Sequence, residues 1–344
     1  VPAEQPRRKR TTLAAVASAA GVSLPTVSKV INGRTDVAAE TRARVEQALR
    51  DHQYVPQRSR RPRPTGRTLE LLFDGLDSPY SSEILRGVVD ASTEAGIDPV
   101  VHLFPAAGHT YADDNEWARR LASSGREGLI VVTSELTSAQ VTALNGAGLP
   151  LVVIDPVNLP RADVVSVGAT NWLGGLAAAE HLAGLGHRRI AYLGGPAGAS
   201  CSQARLHGYR AALDNAGLAA DPRLVRNGDF SYDVARALTA ELLAEAKPPT
   251  AIFAGNDVSA LGVIEAARAA GLRVPGDLSV VGFDDTLLAL WSTPPLTTVR
   301  QPLRDMGRVA VRTLLRLAAG ESLESHHVEL ATQLVVRSST SAAG

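Results

Sequence analysis

Two groups of polar residues in this chain have the types and spacing to do chemistry. The first lies just past short apolar runs. Asp74, Asp77 and Ser78 follow LELLF, Asp155 follows LVVI, Asn256 and Asp257 follow AIFAG, Asp284 and Asp285 follow VVGF, and Gln301 follows PPLTTVR. Arg205 stands at the start of a helical stretch after the Gly-rich loop 194–198. Carboxylates accept hydrogen bonds from hydroxyls, while arginine and amides donate them, which is the mixture a neutral polyol such as a sugar needs. Asp and Asn after strands also cap helices and close turns, and Asp257, directly before a helix, reads as a cap rather than a ligand. The case for a site is the recurrence of the set at successive strand ends. The second group, Leu24, Pro25, Thr26, Ser28 and Lys29, surrounds one end of a short helix, and an arginine-rich stretch, QRSRRPRPTGR, follows at 57–67. Such a basic, hydroxyl-bearing set suits DNA phosphates and base edges. Enzyme patterns find no match: GGPAGAS lacks the Lys-Ser/Thr of a phosphate-binding loop and is not G-x-G-x-x-G, and neither G-x-S-x-G nor H-E-x-x-H occurs. His187 reads as structural, the pair His326 and His327 as solvated, and Cys201 as packing or pocket lining; no cofactor and no metal are expected.

These groups need rigid elements beneath them. In residues 12–33, TLAAVASAAGVSLPTVSKVING, the apolar Leu13, Val16, Ala17 and Ala20 recur at helical spacing. Gly21 supplies a turn, because a residue without Cβ enters left-handed backbone cheaply. Ser23 can cap the next helix and Pro25 fits its first turn, while Val27, Val30 and Ile31 bury that helix against the first. This is the plan of a helix-turn-helix, against the alternative of a plain surface hairpin. Val45, Ala48, Leu49 and Tyr54 give a third helix; Ala38 stands where Ser or Thr would cap it, at a cost of about 1 kcal/mol. Prolines 62 and 64 and arginines 58, 60, 61, 63 and 67 make 57–68 a linker. From Leu69 short apolar strands (69–73, 99–104, 128–134, 149–155) alternate with helices. After residue 168 the alternation restarts, with strands at 189–195, near 224–227, 250–257 and 279–285. The pattern predicts an α/β fold, with doubly wound parallel sheets of βαβ units in two similar lobes. Open sheets of this kind bind ligands at the carboxyl ends of their strands.

Charge divides along the same line. The 35 basic and 35 acidic side chains cancel, but residues 1–68 hold 14 Lys and Arg against 5 Asp and Glu, leaving 21 against 30 for the rest. A basic head on an acidic body points to a polyanionic partner for the head alone. No apolar run reaches the roughly 18 residues of a membrane span, and the charged start lacks a signal-peptide pattern. A cytoplasmic protein without membrane contact is expected, which the single cysteine, Cys201, fits.

Taken in order, TLAAVASAAGVSLPTVSKVING, ETRARVEQAL, YVP, LGHRRIAYLGGP, ARLHGYRAAL, PTAIFAGNDVSALGVIEAARAAGLRVPGDLSVVGFDD and PPLTTVRQPLRDMGRVAVRTLL resemble the LacI/GalR family of bacterial transcriptional repressors over nearly the whole chain. The resemblance implies a helix-turn-helix headpiece at 1–56, a hinge at 57–68 and an effector-binding core at 69–344 like periplasmic sugar-binding proteins. Its lobes would be about 69–167 plus 298–328 and 168–297 plus 329–340, joined by three crossovers. The chain would act as a homodimer on a palindromic double-stranded DNA operator. The resemblance puts Leu24, Pro25 and Lys29 where the family reads base edges, and Thr12, Thr26, Ser28 and Asn32 where it contacts or positions phosphates. It puts Arg205, Asn256, Asp284 and Gln301 at ligand-binding positions and Asp155, Cys201 and Phe230 on the pocket wall, where Phe230 can stack on a sugar ring. Asp77, Ser78 and Tyr80 are a weaker match on the first lobe. The family's hinge helix usually ends in a leucine that wedges into the minor groove; here Arg63 lies between Pro62 and Pro64, through which a helix does not run easily. The expectation is instead that Arg60, Arg61 and Arg63 lie in the minor groove. No leucine heptad follows LATQLVVRSS, so no tetramer-forming tail is expected. The expected function is a sugar-responsive transcriptional regulator, a repressor of carbohydrate-utilisation genes, with a pentose or hexose effector, xylose-like ligands foremost. The competing readings are a solute-binding protein of a transport system, which the core alone would suit, and an α/β enzyme, which the strand-end carboxylates leave open.

Overall fold

A computed structural model describes residues 13–31, 34, 37–52, 66–103, 113–158 and 163–344 of the chain. The chain divides into a unit of residues 1–65 and a unit of residues 66–344. In the first, α1 (Leu13–Ala20), α2 (Leu24–Ile31) and α3 (Ala39–Asp51) pack around Val16, Ala17, Ala20, Val27, Val30, Val45 and Ala48. Gly21 has φ 63°, the left-handed conformation the turn needs. The Ser23 hydroxyl accepts from the Thr26 amide at 3.4 Å and pairs with the Thr26 hydroxyl at 2.9 Å, so it caps α2 as expected. Thr12, Asn32, Tyr54 and the hinge residues Arg60, Arg61 and Arg63 lie outside the described residues.

The second unit runs β1 (Arg67–Phe73), α4 (Pro79–Glu94), β2 (Ile97–Leu103), α5 (Asp114–Ser123), β3 (Arg126–Val132), α6 (Ser138–Gly146), β4 (Leu151–Ile154) and β5 (Val165–Ala169). It continues through α7 (Asn171–Gly184), β6 (Ile190–Gly194), α8 (Ser200–Asn215), β7 (Val225–Asn227), α9 (Tyr232–Leu243), β8 (Ala251–Ala254), α10 (Asp257–Ala269) and β9 (Ser279–Asp284). The last elements are α11 (Leu287–Trp291), β10 (Thr297–Arg300), α12 (Leu303–Ala318), β11 (His327–Leu330) and β12 (Gln333–Val335). Two six-stranded sheets result, ordered β11-β5-β4-β3-β1-β2 and β12-β10-β9-β8-β6-β7. Each is parallel except where β12 meets β10. Central strands such as β4, β6 and β8 are apolar on both faces because helices cover both.

The sheets correct several boundaries. The strand β1 starts at Arg67, whose Nε meets Glu127 Oε1 at 2.7 Å, so the expected linker 57–68 ends before that residue. VSVGA forms β5, where small and polar residues interrupt the apolar run and hide the strand. The expected lobe boundary at 298 falls inside β10, which pairs Thr298 with Gly282 in the second sheet; the chain returns to the first lobe only after Arg300. The expected boundary at 328 falls inside β11, whose Val328 pairs with Val167 in the first sheet. Three crossings therefore join the lobes: β5 to α7, β10 to α12, and β11 to β12.

Both lobes contain very close helix crossings. A Cβ on Gly87 of α4 would lie 2.0 Å from the Arg304 carbonyl oxygen, and one on Gly307 of α12 would lie 2.5 Å from that of Ile84. In the second lobe a Cβ on Gly175 of α7 would lie 2.3 Å from the Arg205 carbonyl, and one on Gly208 of α8 would lie 2.1 Å from that of Trp172. The glycines let backbones touch, and in the second lobe that contact sets the position of Arg205. His187 is buried, its two ring nitrogens 2.9 Å from the Thr250 hydroxyl and 3.0 Å from that of Ser279, and burial pushes its pKa down; it is structural, as expected. Replacing Gly307 by Ala should push α12 off α4 and destabilise the core by about 1–3 kcal/mol, the usual cost of overpacking. Denaturant unfolding followed by circular dichroism measures this, and an unchanged midpoint would refute the close crossing.

Candidate functional site

On α2 the inward residues Val27 and Val30 are buried. That leaves Leu24 48 % exposed, Pro25, Ser28 and Lys29 exposed, and Thr26 half-buried. One short helix thus turns an apolar side to its neighbours and an apolar, hydroxylic and cationic set outward. Outward side chains of these types fit a major groove.

In the core, a cavity of about 580 Å³ opens between the two lobes. It lies where the sheet logic puts it, at the carboxyl ends of strands. The first lobe contributes Asp74, Asp77, Ser78, Tyr80, Thr133 and Asp155; the second contributes Cys201, Arg205, Asp229, Phe230, Asn256, Asp284 and Thr286. The lobes also meet directly, where the amide and hydroxyl of Ser200 both donate to the Val157 carbonyl at 3.0 Å.

Arg205 is the buried cation of the cleft, 3 % exposed. Its Nε donates to Asn171 Oδ1 at 2.8 Å and its Nη1 to the Gly255 carbonyl at 2.5 Å. Its guanidinium carbon lies 3.8 Å from the Phe283 ring centroid, a stacking contact beneath it. Asp284 is 5 % exposed and has φ 112°. Burial pushes its carboxyl up, to about 8, with the charges of Asp257 and Asp155 adding to the rise and Arg205 opposing it. Gln301 does not line the cavity. It stands behind Asp284 and donates from Nε2 to Asp284 Oδ1 at 2.7 Å, so it positions the acid instead of facing the space.

On the first lobe Asp155 has φ 43° and is 7 % exposed. Tyr80 donates its phenol to Asp155 Oδ2 at 2.6 Å, and the Ala169 backbone amide also bonds this carboxylate. Burial pushes both the Tyr80 phenol and the Asp155 carboxyl up. The Ser78 hydroxyl accepts from the Ser81 amide at 3.1 Å as the cap of α4, while Asp77 stays exposed at the rim. Asn256, not Asp257, caps α10: its Oδ1 accepts from the Ser259 amide at 2.8 Å, and its Nδ2 donates to the Phe230 carbonyl at 3.1 Å. Asp257 is instead buried, accepting from the Thr286 amide at 2.7 Å and the Thr298 hydroxyl at 2.6 Å. Phe230, at φ 67°, lays its ring where Gly195 has no side chain; a Cβ there would come within 2.1 Å of the ring. Cys201 lines the wall, and burial pushes its thiol up, away from nucleophile chemistry.

Sequence reasoning passes over Thr133, Asp229 and Thr286, although each stands just past a strand as the chosen residues do. It also passes over Asn171, which stands just past the unrecognised strand β5, and Phe283, which lies inside β9; both touch Arg205 directly. No group of three or more His, Cys, Asp or Glu side chains that could hold a metal occurs among the described residues, and none of their helices is long and apolar enough to cross a membrane.

The chain matches the family model for bacterial regulatory proteins of the lacI family over residues 12–57 and that for a periplasmic binding protein-like domain over 179–340. It is 37 % identical to the HTH-type transcriptional regulator CelR of Thermobifida fusca over 341 residues, covering 97 % of this chain and 99 % of that one. It is 32 % identical to the transcriptional repressor CytR of Escherichia coli K12, covering 96 % of each. A solved complex of CelR with cellobiose superposes with TM-score 0.72 at 36 % identity, covering 96 % of this chain and 100 % of that one. The lac repressor dimer bound to operator and the anti-inducer ONPF superposes with TM-score 0.70 at 30 % identity, covering 97 % and 100 %. These relatives are regulators rather than transporters or enzymes, and the chain belongs to the lacI family of bacterial transcriptional regulators.

Proposed function

We propose that this regulator is a repressor of carbohydrate-utilisation genes whose hold on a palindromic operator, as a cytoplasmic homodimer, is set by a neutral sugar in the interlobe cleft. The observation that carries this reading is the facing of Tyr80 and Asp155 on one lobe against Arg205 and Asp284 on the other. Acceptors and donors of both lobes converge on one space beside the Phe230 ring, as a polyhydroxylated ring requires. The lining carries Asp74, Asp77, Asp155, Asp229 and Asp284 against Arg205, a balance that repels phosphorylated or acidic ligands. Size favours more than a pentose or hexose such as xylose: at water's volume of about 30 Å³ per heavy atom as an upper bound, a pyranose of about a dozen heavy atoms fills at most about 360 Å³. A cavity of about 580 Å³ leaves space for a second ring, in keeping with the cellobiose bound by CelR.

On DNA, Leu24, Pro25 and Lys29 would read base edges, Thr12, Thr26, Ser28 and Asn32 would hold phosphates, and Arg60, Arg61 and Arg63 would lie in the minor groove. Leu287, Leu290 and the 73 %-exposed Trp291 on α11 supply apolar surface for a second copy to cover.

A thermal-shift screen tests the cleft. Cellobiose, glucose or xylose should raise the melting temperature, because a ligand of the folded state alone stabilises it; a response to glucose 6-phosphate or a purine in their place would overturn the reading. In titration calorimetry Asp284→Asn should weaken the sugar that binds by about tenfold, the usual effect of leaving a buried hydrogen-bonding group without its partner, with sugar-free operator binding kept. The same residue sets a pH dependence. Its raised pKa means that the folded core holds a proton which the unfolded chain releases, so this stability is complete below the ordinary carboxylate range and is lost as pH rises through about 8. Asp155 and Asp257 are raised as well and share the sign, so Asp284→Asn should flatten part of the decline in melting temperature between pH 5 and pH 9. Replacing Arg60, Arg61 and Arg63 by Ala should lower the slope of log affinity against log salt by about 0.9 for each phosphate that these side chains neutralise; an unchanged slope in fluorescence anisotropy titrations removes the hinge from the DNA interface.

A further inference from the structure

We infer that Asp285 is a positioning residue: it locks the strained turn that presents Asp284 to the cleft and ties that turn to two of the three lobe crossings. The inference rests on the reading of the cleft as the effector site and adds how occupancy of that site reaches the lobe crossings.

Asp284 at φ 112° and Asp285 at φ 58° are consecutive non-glycine residues in left-handed backbone. Such a pair persists only where its surroundings over-determine it. Here every residue of the turn 284–286 is pinned by a side chain from elsewhere. Gln301 Nε2 holds Asp284 Oδ1 at 2.7 Å. Arg300 Nε holds Asp285 Oδ2 at 2.6 Å, and Arg337 Nη2 holds Asp285 Oδ1 at 2.5 Å. Asp257 Oδ2 accepts from the amide of Thr286 at 2.7 Å and from its hydroxyl at 3.0 Å.

Three of the four pinning residues lie where the chain passes between the lobes. Arg300 closes β10 and Gln301 follows it, where the chain leaves the second lobe for α12. Arg337 follows β12, just after the chain has returned. It is itself anchored, its amide donating to the Thr297 hydroxyl at 2.9 Å and its Nη1 to the Leu296 carbonyl at 2.8 Å. The acid of the cleft and two crossings therefore share one polar cluster with Asp285 at its centre. The Asp285 side chain is 4 % exposed and that of Arg337 is 13 % exposed, which separates this pairing from surface pairs such as Arg273 with Asp277. Pairs of that exposed kind contribute little, whereas a buried carboxylate bonded by two guanidiniums fixes geometry. A shift of Asp284 on engaging a sugar hydroxyl is transmitted through the turn to Arg300 and Arg337, and hence to the strands that enter and leave the second lobe.

Hydrogen exchange read by mass spectrometry on the full-length protein, without sugar, tests this. Asp285→Asn is the informative variant, because asparagine tolerates left-handed backbone and loses only the charge that holds the two arginines. Exchange at 284–287 and at 297–303 should quicken by about tenfold in this variant while β6 and the first-lobe sheet keep their protection. Asp277→Asn, which removes a surface pair, should change neither segment. Unchanged exchange at 297–303, or acceleration spread through the whole core, overturns the inference by making Asp285 an ordinary structural residue. A cellobiose titration of Asp284→Asn reports on the cleft separately: wild-type affinity there overturns the effector reading, while the exchange experiment alone decides the clamp.

Discussion

A guanidinium buried among carboxylates is the constraint on which this core depends. A charge removed from water is tolerated only when it is paired and hydrogen-bonded on several sides, and the environment of Arg205 satisfies that demand in detail. Asn171 and the Gly255 carbonyl take its donors, and Phe283 takes its face. Gly175 lets α7 touch the backbone of Arg205 itself, so the helix that carries the cation cannot drift. With the cation fixed, Asp284 and Asp155 can be buried beside it, because its positive charge opposes the rise that burial imposes on both carboxyls.

Both acids are held by donors of the protein itself. Tyr80 and the Ala169 amide hold Asp155, and Gln301 holds Asp284. Each half of the site is thus organised before a ligand binds, which lowers the ordering cost of binding. A ligand touching both halves changes the relative stability of lobe arrangements only through contacts that differ between them. The direct bonds of Ser200 to Val157 and the polar cluster around Asp285 are where such differences can be expressed.

Much of this fold is readable from residues alone, for identifiable reasons. Helical periodicity exposes α1 and α2, and the cap at Ser23 and the turn at Gly21 follow from local chemistry. The βαβ rhythm exposes most strands because buried parallel strands are continuous apolar runs. The same rhythm loses β5, where VSVGA mixes small and polar residues, and the lobe boundaries that the resemblance implies fall inside β10 and β11, because a crossing leaves no compositional mark. Strand-end position points to Asp155, Asn256 and Asp284, and the helix after the Gly-rich loop to Arg205, but neither says which way they work. Asn256 is the cap and Asp257 the buried strut, since two adjacent polar residues at a strand end look alike until the backbone chooses. Gln301 acts from behind Asp284, and Phe283 from beneath Arg205, and neither role has a signature in one dimension.

The way the chain threads between lobes also governs the order in which the molecule can be made. The first lobe buries Ile84, Val88 and Ala91 against Met306, Ala310, Val311 and Leu314 of α12, and its sheet ends in β11. Those elements are translated after nearly all of the second lobe. A growing chain that stops short of residue 303 therefore holds a first lobe with an uncovered apolar face, while the second sheet lacks only its edge strand β12. Folding during synthesis, which ordinarily favours the N-terminal unit, is here inverted within the core: the lobe begun first is the one that must wait, and its unfinished surface is what chaperones would meet on the ribosome.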